Sequence, residues 1–265
     1  MAGSANLNLM IQAARKAARR LVRDFGEVEN LQVSTKGAGD FVSNADRKAE
    51  ETIRQMLMEG RPNYGWLGEE SDPVQGKDPT RRWIVDPLDG TTNFLHGIPH
   101  WAVSIALEHK GEIIAGVVYD PVKDEMFVAE TGQGAWMNDR RLRVSGRRDI
   151  SGMLFATGLP FGGRDGLPQM IGDLGRTLPR SAGVRRMGAA ALDLAYVASG
   201  RVDGFWERAL QPWDIAAGLI LVREAGGLVG VIGEERDGGN PLESGNVLAA
   251  NPDAYRLMSG LIGQS

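Results

Sequence analysis

Residues 83–93 read Trp-Ile-Val-Asp-Pro-Leu-Asp-Gly-Thr-Thr-Asn, and this stretch carries the strongest signal in the chain. Its three apolar residues predict a buried strand that ends at two carboxylates, Asp86 and Asp89. A glycine turn follows, and the final Thr-Thr-Asn favours the start of a helix. Two neighbouring carboxylates do not both stay ionised without a cation, and backbone N–H groups at a helix start bind anions. The stretch therefore indicates metal-assisted phosphoryl chemistry.

Two distant segments also place a carboxylate where an apolar run meets a turn. Glu69 lies in Gly-Glu-Glu-Ser after the apolar pair Trp66-Leu67, and Asp214 precedes an apolar helical pattern. Taken alone, Asp-Pro-Leu-Asp-Gly favours a surface turn between a strand and a helix, because Asp, Pro and Gly are ordinary turn formers. The three segments together favour one shared acidic site over that interpretation.

Composition excludes several classes of protein. Of 265 residues, 42% are hydrophobic and 24% charged, which is enough for a sizeable globular core. The net charge of −4 implies no general attraction to nucleic acid. The absence of cysteine rules out disulfides, thiolate metal sites and a cysteine nucleophile. No apolar stretch approaches the ~20 residues of a membrane span.

Periodicity predicts the main elements of both halves of the chain. Helices are expected at about Leu7–Phe25, Asn44–Met58, Ala189–Ala198 and Ile215–Ala225, with a weaker one inside Gly163–Pro179. An antiparallel meander is expected at Trp101–Glu108, Ile113–Tyr119 and Glu125–Ala129, and later strands near Met153–Thr157, Val202–Trp206, Leu228–Val231 and Val247–Ala250. Ser34–Asp40 is predicted to be a loop. Helices and sheets are thus mixed in layers.

Several separate motifs occur in the chain in the same order as in a known protein family. They are Asp40-Phe-Val-Ser-Asn-Ala-Asp46, Gly68-Glu-Glu-Ser71, residues 83–93, Gly188-Ala-Ala-Ala-Leu-Asp193 and Gln211-Pro-Trp-Asp-Ile-Ala-Ala-Gly218. From Lys36 to Gly227 the chain resembles the inositol monophosphatase family, within the lithium-sensitive, magnesium-dependent phosphatases. This resemblance implies an α/β (α+β) fold, a layered sandwich of alternating helix and mixed β-sheet layers. It also implies a single domain, 1–265, with subdomains of about 1–150 and 151–265.

The resemblance further implies two or three Mg²⁺ ions per site. Glu69, Asp86 and the backbone carbonyl of Leu88 would hold the first ion. Asp86, Asp89 and Asp214 would hold the second, and Glu69 would also reach a third, weaker ion. Magnesium prefers such hard oxygen ligands and keeps several waters.

Other roles are implied by the same match. Thr91 would orient the attacking water, Asp46 would accept a hydrogen bond from Thr91, and the Gly90 and Thr91 N–H groups would hold the phosphate. Lys36 would lie near the third metal.

Substrate hydroxyls would meet Glu207 and the backbone from Gly188 to Ala190. The family often has Thr or Ser where this chain has Ala189, which removes one hydroxyl contact and makes the substrate less certain than the reaction.

The leading hypothesis is magnesium-dependent hydrolysis of inositol 1-phosphate, a phosphorylated polyol. The enzyme is expected to be a cytoplasmic homodimer. Membrane and nucleic-acid partners are not expected. Alternatives with the same chemistry are fructose 1,6-bisphosphate, histidinol phosphate and 3′-phosphoadenosine 5′-phosphate. Thr92-Asn93 speaks against the last, because the nucleotide branch has Lys-Glu there.

An alternative from a different functional class is a regulatory RNA- or protein-binding module. The arginines from Arg140 to Arg148 favour a solvated hairpin, with an acidic partner or RNA as the alternative.

Overall fold

The computed structural model describes residues 3–31, 38–160, 166–233 and 239–263. The helices are α1 (Ala5–Leu31), α2 (Ala38–Gly60), α3 (Thr91–Leu95), α4 (Leu167–Thr177), α5 (Ala190–Ala198), α6 (Pro212–Glu224), α7 (Pro241–Ser244) and α8 (Pro252–Ser259). The strands are β1 (Gly65–Gly68), β2 (Arg81–Asp89), β3 (Ala102–His109), β4 (Glu112–Asp120), β5 (Glu125–Glu130), β6 (Gly134–Met137), β7 (Arg140–Arg141), β8 (Leu154–Thr157), β9 (Gly183–Arg185), β10 (Gly204–Glu207), β11 (Leu228–Val231) and β12 (Val247–Ala250).

The first sheet has seven strands in the order β1 to β7. β1 pairs with β2 in parallel, and every later neighbour is antiparallel, which confirms the predicted meander. Both faces of this sheet are buried. On β3, Val103 and Ile105 join the core beneath α1 and α2, whereas Ala102 and Ala106 join the core beneath α5 and α6. The alternating side chains of β3 therefore pack into two different cores, one on each face of the sheet.

The second sheet has five strands in the order β11-β12-β10-β8-β9. β8, β9 and β10 run in parallel, and β12 is antiparallel to both β10 and β11. The inner face packs on α5 and α6, and the outer face packs Phe155 and Trp206 against Met170 of α4 and Met258 of α8. Helix pairs and sheets thus alternate in five layers, which confirms the predicted fold class.

The central helix layer lies very close to its neighbours. A Cβ atom added to Gly116 of β4 would stand 2.7 Å from Ile220 Cγ2 and 2.9 Å from the Ala217 carbonyl oxygen on α6. A Cβ atom on Gly218 would stand 2.4 Å from Leu194 Cδ1 of α5. These glycines allow α6 to approach both the first sheet and α5, because neither position leaves room for a side chain.

Helix α1 shows why its sequence folds as it does. Leu7, Met10 and Leu21 recur at helical spacing and are fully buried. Arg15 and Arg19 lie on the exposed face. The predicted helix is confirmed, and it continues to Leu31.

One boundary prediction was wrong. α2 begins at Ala38, so the end of the predicted Ser34–Asp40 loop is helical, and residues 34–37 lie outside the described residues. A glycine inside a helix lowers helix stability by about 1 kcal/mol relative to alanine, and a long helix forms despite this cost.

Several short elements were missed, namely β1, β6, β7, β9, α7 and α8. For α8 the signal was available. The Asn251 side chain accepts hydrogen bonds from the Asp253 and Ala254 N–H groups, and Pro252 occupies the first helical position.

The arginines of segment 140–148 are exposed, and two of them make clear contacts within the chain. Arg147 pairs with Asp203 at 3.3 Å, and the Arg141 guanidinium lies 6.0 Å from the Trp136 ring centroid. These contacts support the structural interpretation of the arginines. In the part of the chain that the structure describes, no helix is both long and apolar enough to cross a membrane.

Two Gly→Ala substitutions should change stability in opposite directions. Gly116→Ala should lower the free energy of unfolding by about 1–3 kcal/mol, because the new methyl group collides with α6. Gly26→Ala, on the exposed side of α1 with no atom within 4 Å, should raise it by about 0.5–1 kcal/mol. Urea unfolding measures both, and a neutral Gly116→Ala would contradict the close packing.

Candidate active site

The parallel pairing of β1 and β2 brings two predicted ligands to one edge of the first sheet. Gly68 pairs with Val85, and the Glu69 N–H donates to the Val85 carbonyl at 3.2 Å. Parallel strands end side by side. The Glu69 and Asp86 side chains consequently hydrogen-bond to each other.

A β-bulge directs Asp86 and Asp89 to the same side of β2. Residues three apart on a regular strand face opposite sides. Here Asp86 pairs with Ser104 and Asp89 with Ala102, so three steps on β2 match two on β3. The Asp86 Oδ1 atom accepts a hydrogen bond from the Leu88 N–H at 2.8 Å, which stabilises the bulge.

Asp89 also connects the two halves of the chain. Its Oδ2 atom accepts a hydrogen bond from the Ala191 N–H at 2.8 Å, across 102 residues of sequence. Ala191 lies in the first turn of α5, where a carboxylate interacts favourably with the helix dipole. Asp89 is therefore held between the first sheet and the start of α5, and it is only 8% exposed.

Asp214 enters from the first turn of α6. The Ser104 hydroxyl, adjacent to Asp86 in the sheet register, donates to the Trp213 carbonyl at 3.3 Å. The Gln211 N–H donates to Asp214 Oδ2 at 2.7 Å. Ser104 is 1% exposed and was missed by the sequence analysis; its only signal was a polar residue inside an apolar strand. Its bond holds the start of α6 over β2 and β3.

Burial and mutual repulsion raise the pKa values of Asp86, Asp89 and Glu69, and Asp214 contributes to the repulsion at all three. Burial, followed by repulsion from Glu69, Asp89 and Asp214, raises the pKa of Asp86 well above its usual range. Burial and then Asp214 act in the same direction on the pKa of Asp89. Desolvation and repulsion from Asp214 raise the pKa of Glu69 to about 7, although its side chain stays partly open to solvent and hydrogen-bonds to Asp86.

This donor set suits a hard divalent cation. Within the described residues, no three acidic or histidine side chains stand close enough to form a ready-made metal cage. Magnesium rarely uses such cages, since it is usually bound by one or two carboxylates, waters and substrate phosphate. The charged groups that raise the pKa of Asp86 are all carboxylates, so a cation there would relieve their repulsion.

The predicted hydrogen bond from Thr91 to Asp46 is not formed. The Thr91 hydroxyl instead donates to the Leu88 carbonyl at 3.0 Å, because residue i−3 is within easy reach at the start of α3. Asp46 is 3% exposed, and its Oδ1 atom has no hydrogen-bond partner among the described residues. Burial, then Glu69 and Glu70, raises the pKa of Asp46 to about 9.

The opposite wall of the site comes from the second half of the chain. The Asn93 amide donates to the carbonyls of Met187 and His100 at 2.8 Å each, which ties α3 to the segment before α5. Gly188 has a φ of +84°, a conformation that favours glycine. The role of Asn93 was missed, because the sequence only marked it as a helix-start residue.

Two acids face each other on this wall. Asp193 on α5 is 1% exposed, and burial followed by repulsion from Glu207 and Asp89 raises its pKa well above the usual range. Glu207 also helps to raise the pKa of Asp89, so its carboxylate lies near that acid of the first half of the chain. Gly90 and Ala190 lie at the starts of α3 and α5, and Lys36 lies outside the described residues.

Comparison with known proteins identifies the family. The family model for the inositol monophosphatase family matches residues 5–265. A protein of Rhizobium meliloti (strain 1021) named inositol-1-monophosphatase is 57% identical over 262 residues, which cover 99% of this chain and 97% of that protein. The chain belongs to the inositol monophosphatase family.

Other members of the family broaden the comparison. The Nus factor SuhB of Escherichia coli (strain K12) is 45% identical over 252 residues, covering 95% of this chain and 93% of that protein. A native crystal structure of the extragenic suppressor protein suhB from Bartonella henselae matches with a TM-score of 0.90 and 52% identity, covering 99% of this chain and all of that one. Membership of the inositol monophosphatase family confirms that this protein is a phosphoric monoester hydrolase.

Two substitutions of Asp89 should separate its charge from its hydrogen bond. Asp89→Asn should raise the free energy of unfolding in chelator, because it removes a buried like charge and keeps an oxygen for the Ala191 N–H. Asp89→Ala should be about 1–3 kcal/mol less stable than Asp89→Asn, because that buried N–H loses its partner. Urea unfolding with EDTA at pH 8 measures both. Equal stability of the two variants would contradict the structural role of this hydrogen bond.

Proposed function

We propose that this enzyme hydrolyses inositol 1-phosphate to inositol and phosphate with Mg²⁺ as its cofactor. The observation that carries the proposal is the convergence of Glu69, Asp86, Asp89 and Asp214 from separate segments of the chain. The relative from Rhizobium meliloti, named inositol-1-monophosphatase, supports the substrate. The four acids are present as expected, so the regulatory binding module is less favoured as the main role.

The carboxylates are proposed to form two neighbouring cation sites that share Asp86. Glu69, Asp86 and the Leu88 carbonyl would hold one Mg²⁺, and Asp86, Asp89 and Asp214 a second, with a third and weaker ion at Glu69. When bound, Mg²⁺ neutralises charge on the transferring phosphoryl group and promotes deprotonation of water.

Thr91 is proposed to orient the attacking water. Because its hydroxyl donates to the Leu88 carbonyl, the lone pairs of its oxygen can accept a hydrogen bond from water. Asp46 is proposed to take part through its buried carboxyl, whose pKa burial and then repulsion from Glu69 and Glu70 raise to about 9. Lys36 stays a prediction near the third metal.

The substrate would lie between the two halves of the site. The N–H groups of Gly90 and Thr91 would hold its phosphate. Glu207 and the backbone from Gly188 to Ala190 would bind ring hydroxyls. A homodimer and a cytoplasmic location are proposed from the family resemblance alone.

Activity should require a divalent cation and Asp214. Excess EDTA should abolish phosphate release, and added Mg²⁺ should restore it. Asp214→Asn should lower kcat/KM at least about 100-fold, corresponding to ~2.7 kcal/mol. Asp139→Asn, an exposed acid in the turn between β6 and β7, is the matched control and should keep full activity. Unchanged turnover in EDTA would contradict the metal mechanism.

The enzyme should prefer polyol monophosphates. Inositol 1-phosphate should exceed 3′-phosphoadenosine 5′-phosphate by at least about 100-fold in kcat/KM, because unpaired buried hydrogen-bonding groups cost about 1–3 kcal/mol each. Ala189 lacks a hydroxyl, so broad tolerance among polyols is expected. A panel that also includes glycerol 2-phosphate, fructose 1,6-bisphosphate and histidinol phosphate measures the preference. A clear preference for histidinol phosphate or the nucleotide would overturn the substrate and leave the metal mechanism intact.

A further inference from the structure

The carboxylate of Glu207 lies directly against Gly158, the residue that follows the neighbouring strand β8. A Cβ atom added to Gly158 would stand 1.9 Å from both Cδ and Oε1 of Glu207 and 2.1 Å from its Oε2. Ordinary contacts of such an atom lie at 3.4–4 Å. No side chain fits at Gly158 while the Glu207 carboxylate keeps this position.

The backbone conformation of Gly158 does not explain the glycine. Its φ lies outside the positive range that favours glycine, so alanine would not be strained there. The residue is buried at the end of β8. The space taken by the Glu207 carboxylate is therefore the physical reason for a residue without a side chain.

The backbone on both sides of this contact is fixed. β8 and β10 are parallel, with Thr157 opposite Trp206, and the Thr157 hydroxyl donates to the Trp206 carbonyl at 2.6 Å. On the other side of Glu207, the Arg208 guanidinium pairs at 2.6 Å with Asp173, which is fully buried on α4. With the backbone held, the flexible Glu207 side chain is the part that an added methyl group would displace.

We propose that Gly158 is a specificity-determining residue, which positions the Glu207 carboxylate to bind the hydroxyls of a polyol phosphate. The inference rests on the proposed function, since it takes Glu207 as the residue that binds ring hydroxyls. Gly158 itself touches no reacting atom, so its effect should fall on substrate choice rather than on the phosphoryl chemistry near Asp86 and Asp89.

The test compares Gly158→Ala with Gly152→Ala in the full-length enzyme with Mg²⁺. Gly152 precedes β8, has no atom within 4 Å of an added Cβ and lacks a positive φ, so it is the matched control. Gly158→Ala should raise KM for inositol 1-phosphate about 10-fold or more with little change in kcat. For p-nitrophenyl phosphate, which has no hydroxyl beyond its phosphate, kcat/KM should fall by at most about threefold. Gly152→Ala should match the wild type on both substrates.

A double variant shows whether the effect of Gly158→Ala on substrate binding depends on Glu207. In Glu207→Ala the carboxylate is gone, so adding Gly158→Ala should change kcat/KM for inositol 1-phosphate by less than about twofold. If Gly158→Ala alone fails to fold, the double variant should fold, because the collision is relieved. Equal losses on both substrates, additive effects in the double variant, or failure of both variants to fold would each overturn the proposal.

The same experiment separates this inference from the proposed function. If Glu207→Ala leaves the ratio of kcat/KM for inositol 1-phosphate to kcat/KM for p-nitrophenyl phosphate unchanged, the proposed contact with ring hydroxyls is wrong. The inference is then overturned with it. If Glu207→Ala lowers the preference for inositol 1-phosphate but Gly158→Ala does not, only the inference is overturned.

Discussion

Crowding of like charges is the constraint around which this molecule is organised. Asp86 and Asp89 are almost fully buried, and Glu69 and Asp214 lie close enough to raise their pKa values. Such a cluster is unfavourable unless the surrounding structure holds each carboxylate and supplies hydrogen-bond donors. Here the donors are mainly backbone N–H groups, at Leu88, at the start of α5 and at the start of α6. The positive ends of α5 and α6 act in the same direction.

The five-layer architecture makes this arrangement rigid. The central helices α5 and α6 carry residues from the second half of the chain to the edge of the first sheet. Their close approach depends on positions without side chains, such as Gly116 and Gly218. Three hydrogen bonds, from the Ser104 hydroxyl, the Asn93 amide and the Ala191 N–H, then join the two halves at the site. Packing therefore sets the distance between the layers, and hydrogen bonds set the alignment of the site.

The two sides of the site differ in kind. The side built from β1, β2 and α6 is acidic and suits a cation, and it is where we propose that phosphate hydrolysis takes place. The side built from β8, β10 and the start of α5 surrounds Glu207, whose position depends on a neighbouring glycine. Variation on this second side can change which phosphate ester is bound without altering the acidic side. This separation gives a physical reason why reaction type was easier to predict than substrate.

The sequence by itself determined the order and type of the longer elements, because the apolar periodicity of α1 and the apolar runs of β3 and α6 reflect burial that any compact fold requires. Through the family motifs it also determined the acidic residues of the site. It did not determine the short elements β9 and α7, whose few residues carry too little periodicity.

Only the tertiary structure decided how the site is assembled. The bulge that turns Asp86 and Asp89 to one side depends on the register of β3. The partner of Thr91 was Leu88 rather than Asp46, because local geometry offered a nearer acceptor. The contact of Glu207 with Gly158 joins the end of β10 to the residue that follows β8. These features rest on distances between segments far apart in the chain, and such distances are set by packing rather than by local residue pattern.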